Sequence, residues 1–65
     1  MNHKELKRAL KYCDAINKDL QSVKLKTTPK AIEIRNEIIP NAVEWLNTHM
    51  RTVCLYVKDD KCYLV

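Results

Sequence analysis

The chain has no glycine and no phenylalanine among its 65 residues. Without glycine it cannot form a P-loop, a dinucleotide-binding fingerprint or an EF-hand loop, each of which needs a backbone that only glycine readily supplies. Without phenylalanine the core has to be built from Ile, Leu and Val around one Trp and three Tyr. No apolar run approaches the roughly 20 residues that span a bilayer, so no transmembrane helix and no membrane partner are expected. The three cysteines are an odd number, contain no C-x-x-C pair and follow no leader-like segment. Reduced thiols in the cytoplasm are expected rather than disulfides. No Ser/His/Asp or Cys/His arrangement is legible, and a chain this short has little room for a substrate pocket. The expectation is therefore a protein that is not an enzyme, with no catalytic residue, cofactor or metal. Cys13, Cys54, Cys62 and His49 are metal-ligating types, but without short paired spacing the plainer reading is half-buried thiols and a boundary histidine.

What is present is organised around Ala31 to Met50. Projected at about 100° per residue, Ala31, Ile34, Ile38, Ala42, Trp45 and His49 fall in one row. Ile32, Ile39, Val43, Leu46 and Met50 form a second row beside it. The joint face is wider than the usual core-facing stripe. Pro40 sits on the opposite, polar side with Glu33, Glu37 and Glu44. An interior proline removes a hydrogen bond and costs about 3 kcal/mol. The apolar phase nevertheless runs across Pro40 without a jump, which predicts one helix over 29–50, kinked at Pro40, in preference to two helices. Thr28 is the expected N-cap and Pro29 suits the first helical position.

A first helix is expected over 2–23, opened by a capping box of Asn2 and Glu5. Leu6, Ala9, Cys13, Ile16, Leu20 and Val23 are spaced 3, 4, 3, 4, 3, a narrow seam suited to one edge of the second helix or to a second copy of the chain. The short connection KLKTT favours antiparallel neighbours, with Leu25 as a plug. Residues 52–65 predict a β-hairpin around Lys58-Asp59-Asp60-Lys61, with either a two-residue turn or a four-residue loop. Both choices pair Val57 with Cys62, Tyr56 with Tyr63, Leu55 with Leu64 and Cys54 with Val65. Val53, Leu55, Val57, Cys62 and Leu64 then share an inner face that covers the second helix. The fold class is α+β in the order ααββ: a helical hairpin followed by a two-stranded antiparallel β-hairpin, in one domain of residues 1–65.

Two surfaces remain as candidate sites. Tyr56, Tyr63, Cys54 and Val65 form the outer hairpin face, beside two open strand edges, where protein partners bind. Lys4, Lys7, Arg8 and Lys11 crowd the first turns of the first helix, where the helix dipole disfavours cations. Eight of the twelve Lys and Arg fall in residues 1–30 against three acids. An anionic partner is one explanation of that face, a solubilising surface the plainer one. The function expected is a small protein-binding module, a regulator or inhibitor of a protein target, with a protein partner or a homodimer. Short, glycine-free chains rich in Lys, Asn and Ile are frequent among bacterial and phage accessory proteins. The alternative is a small winged-helix-like DNA- or RNA-binding regulator. It requires Pro40 to split the helix so that NAVEWLNTHMR can enter a groove, and it places the basic patch away from that reading helix.

Overall fold

The computed structural model describes residues 3–65. Helix α1 (His3–Val23) carries the expected seam: Ala9, Ile16, Leu20 and Val23 are buried, and Leu6 and Cys13 are half-buried. Asn2, the first half of the expected capping box, lies outside the described residues. The Glu5 carboxylate reaches across the molecule and accepts hydrogen bonds from the backbone amides of Arg51 and Thr52. At the other end of α1, Leu25 takes a left-handed conformation with φ 66° and is 89% exposed, so it does not plug the core. The helix has to end without a glycine, and Leu25 occupies the position glycine usually fills, with the Lys26 amide bonding back to the Val23 carbonyl.

The second helix, α2, runs over 29–49 in three segments: Pro29–Glu33, a π-helical turn at Ile34–Ile38, and Ile39–His49. The Thr28 hydroxyl accepts from the Ala31 amide at 3.2 Å, and Pro29 opens the helix, as expected. Glu33, Ile34, Ile38 and Ile39 all keep right-handed helical dihedrals, so Pro40 does not divide the segment into two helices. The helix ends one residue early, with Met50 extended.

The π turn corrects the expectation of an unbroken apolar phase. The ring of Pro40 conflicts with the carbonyl four residues back, that of Asn36, and Pro40 has no amide to offer it. Widening the preceding turn relieves this: the Ile39 amide bonds to the Ile34 carbonyl, five residues back. A π turn inserts the equivalent of one residue, about 100° of helix rotation. Downstream of it, each residue takes the azimuth its predecessor would have held. Ile39 is buried and Val43, Leu46 and Met50 are packed against the core, continuing the line of Ala31 and Ile34. Ile38, Ala42, Trp45 and His49, expected in the same line, are exposed instead, Trp45 at 60%. Ile32, upstream of the turn, is exposed as well. The two rows of the sequence are one buried row, switched at Pro40.

Strands β1 (Leu55–Lys58) and β2 (Lys61–Leu64) form the hairpin in the expected register, Leu55 opposite Leu64, Tyr56 opposite Tyr63 and Val57 opposite Cys62. Reciprocal bonds between Cys54 and Val65 extend it by one pair. Lys58 pairs with Lys61, which selects the two-residue turn, and Asp59 and Asp60 both have positive φ, 54° and 61°. That is the signature of a type I′ turn, for which aspartate is a tolerated but inferior substitute for Asn-Gly. β2 packs on α1 and β1 on the second half of α2. Ile16, Leu20, Ile39, Leu55 and Cys62 form the buried centre, with Leu64 against it. Val57, expected on the inner face, is 39% exposed and borders an open groove beside α2, while Cys62 opposite it is buried.

Candidate functional site

The hairpin lies on one side of the two helices, and each of its outer edges is fastened to the helix beneath by an asparagine. Asn17 of α1 accepts from the Cys62 amide at 2.6 Å and donates to the Cys62 carbonyl at 3.2 Å. Asn47 of α2 does the same to Leu55, at 2.7 and 2.8 Å. Cys62 and Leu55 occupy non-hydrogen-bonded pairs of the ladder, so their amides and carbonyls point away from the partner strand. Each primary amide has one acceptor and two donors, and it stands in for the neighbouring strand the edge lacks. The edges expected to be open are therefore closed at these two positions. Both asparagines border an apolar seam, a poor place for a polar side chain without a fixed partner; that was the available signal.

Arg35 is a third tether. Its guanidinium donates to the Lys26 carbonyl at 2.8 Å and to the Val23 carbonyl at 3.5 Å, at the electronegative C-terminal end of α1. Together these contacts leave the hairpin's outer face displayed on a braced support. Tyr56 and Tyr63 stack there with ring centroids 5.3 Å apart, 44% and 39% exposed. Cys54 and Val65 are exposed beside them, as expected. Next to Tyr56 an open groove of about 680 Å³ runs between β1 and α2, bounded by Pro40, Val43, Asn47 and Thr48 on the helix and by Leu55 and Val57 on the strand.

The opposite side of the helix pair is a second feature. An open cleft of about 580 Å³ lies between the N-terminal turns of α1 and the C-terminal end of α2. Lys4, Arg8 and Tyr12, one turn apart on α1, form one wall; Trp45, His49 and Arg51 form the other, with Leu46 and Met50 between them. The His49 imidazole stacks on the Trp45 indole at 3.9 Å and 23°. Its Nδ1 lies 2.8 Å from the Trp45 carbonyl, which can only accept, so that nitrogen carries hydrogen and holds the ring in place. At the end of the cleft, the Glu5 carboxyl is held below its ordinary value of 4.5, first by the Thr52 amide and then by the Arg51 amide and charge. Of the four α1 cations expected to act together, Lys4 and Arg8 line this cleft, while Lys7 and Lys11 are exposed outside it.

The cysteines do not gather into one site. Cys54 is exposed on the outer face, Cys62 is buried, and the Cys13 thiol donates to the Cys62 carbonyl at 3.3 Å. Burial, reinforced by the neighbouring Cys13, pushes the Cys62 thiol up to about 12, so it stays protonated at neutral pH and is a weak nucleophile and ligand. Among the described residues no three His, Cys, Asp or Glu side chains are placed to share an ion, and no helix is long and apolar enough to cross a membrane. Glu33, Glu37 and Glu44 are exposed. Compared with protein-family models, curated proteins and solved structures, the chain matches none.

Proposed function

We propose that this chain is a non-enzymatic protein-binding module, a small regulator or inhibitor, whose contact surface is the outer face of the hairpin. The observation that carries the reading is the exposed Tyr56–Tyr63 stack. Tyrosines of this kind are enriched at the centres of protein interfaces, where they bury large area with little loss of side-chain entropy. Preorganisation supports it: Asn17 and Asn47 fix the strands before any partner arrives, which lowers the ordering penalty of association. Cys54 and Val65 extend the surface along the strands, and the groove beside Tyr56 offers a place for a partner's apolar side chain. The partner is a protein target or a second copy of the chain.

The test uses the tagged protein on extracts of its source cells and the same protein in sedimentation analysis. A stoichiometric partner, or a dimer, is expected to persist at high salt in the wild type. It should be lost in Tyr56→Ala and in Tyr63→Ser while helicity stays unchanged. Association that survives both substitutions would remove the hairpin face from the account.

A further inference from the structure

The cleft on the far side of the molecule is not used by this reading, and its composition differs from that of the hairpin face. Its two walls carry Arg8 on α1 and Arg51 after α2, with Lys4 beside Arg8. Tyr12 lies on the wall of Arg8 and the stacked Trp45 and His49 on the wall of Arg51, so each wall carries a cation and an aromatic face beside a space open to solvent. The one acid in the cleft, Glu5, accepts from the Arg51 and Thr52 amides and lies near the Arg51 charge, so the cleft keeps a positive excess, and Arg8 has no acidic partner among the described residues. Lys7 and Lys11, on the adjoining flank of α1, continue the positive track beyond the cleft. The row of Trp45 stands beside the arginines because the π turn displaced it from the core, and Leu46 and Met50 fill the positions inside.

We infer that this cleft binds single-stranded nucleic acid, with a base stacked on the Trp45–His49 pair or on Tyr12 and the flanking phosphates on Arg8, Arg51 and Lys4. Flat aromatic platforms in a cationic groove accept any base face, and the backbone charge supplies most of the attraction. An acidic peptide shares the charge but would leave the flat stacking faces without a matching planar partner. The proposal differs from groove reading by a separate recognition helix, which the continuous α2 does not provide. It is independent of the hairpin surface.

Trp45 is the only tryptophan, so its emission reports on the cleft directly. The wild-type protein is titrated with an oligothymidylate of about twelve nucleotides, a length within the site sizes known for such grooves. Saturable quenching is expected, with three phosphate contacts weakening the Kd by roughly twentyfold when salt rises from 50 to 200 mM. Anisotropy of a labelled oligonucleotide then reads the variants. Arg8→Glu and Trp45→Ala, both at exposed positions and checked for helicity, should each weaken binding about tenfold or more. Tyr63→Ser should bind as wild type, which separates this proposal from the hairpin reading. If Arg8→Glu disturbs the helix, Arg8→Gln replaces it, with a smaller loss expected. No quenching at low salt, wild-type affinity in Trp45→Ala, or tighter quenching by an acidic, aromatic-containing peptide would each overturn it.

Discussion

The hairpin side and the cleft side each display an exposed aromatic pair, but the two pairs are positioned by different means. Tyr56 and Tyr63 face outward because they alternate with Leu55, Cys62 and Leu64 along two paired strands. One register governs all of them, and sliding it by one residue would turn Leu55 and Cys62 out of the core. Trp45 and His49 face outward because a π turn that ends seven residues before Trp45 shifts the rest of α2 by one residue. The first pair is fixed by local periodicity over a few residues. The second is fixed by a single upstream event, the π turn at Ile34–Ile38 that precedes Pro40. A face set by a helix is therefore only as predictable as the continuity of that helix.

The largest effect should come from the residue that both sides depend on. Leu55 is the most deeply buried large side chain, between the helices and the hairpin. Leu55→Ala is expected to cost about 2–5 kcal/mol, and in so small a domain urea denaturation should find it largely unfolded. The two asparagines come next and separate the strands. Removing the Asn47 amide leaves the Leu55 N–H and C=O without a protein partner, and removing that of Asn17 strands the Cys62 N–H while its C=O keeps the Cys13 thiol; each should cost about 1–3 kcal/mol. In Asn17→Ala the Cys62 amide should lose hydrogen-exchange protection before the Leu55 amide, and in Asn47→Ala the order should reverse. Equal loss at both positions would mean that the hairpin is held only by its apolar face.

Smaller changes sharpen the contrast. Replacing Asp59 and Asp60 by Asn and Gly supplies the pair a type I′ turn prefers and should raise stability by roughly 1 kcal/mol in the same denaturation assay, without altering the cleft. Acid should act on the cleft side first. The folded Glu5 carboxyl titrates below its ordinary 4.5, so its contribution is present above that pH and is lost as pH falls through the lowered value. Glu5→Gln should remove this dependence in a pH series of Trp45 emission and leave the hairpin amides unaffected.

Much of the fold could be read from spacing. The α1 seam, the Thr28–Pro29 start of α2 and the strand register each follow from patterns within one element, and each stands as expected. The expectations that needed a contact between elements fared less well. Asn17, Asn47 and Arg35 act on backbone groups of other elements, and sequence offers only a polar residue beside an apolar seam as a hint. Leu25 looked like core material by hydrophobicity, yet without glycine the chain uses it at a left-handed helix end. The cleft was illegible because its two walls meet only through tertiary packing, and because the row containing Trp45 belonged, on a straight helix, to the interior. Pro40 was correctly seen as the irregular point, but hydrophobicity alone does not distinguish a bend that preserves phase from a π turn that shifts it.

The central claim is that shift, and the solvent accessibility of Trp45 tests it most directly. Acrylamide quenching of the native protein at neutral pH is compared with quenching of the urea-unfolded chain. The π turn places Trp45 60% exposed, so the native quenching constant should approach the unfolded one, with iodide more effective than caesium beside Arg8 and Arg51. A native tryptophan strongly shielded from acrylamide would contradict the account. It would place Trp45 in the core and restore the uninterrupted helical phase.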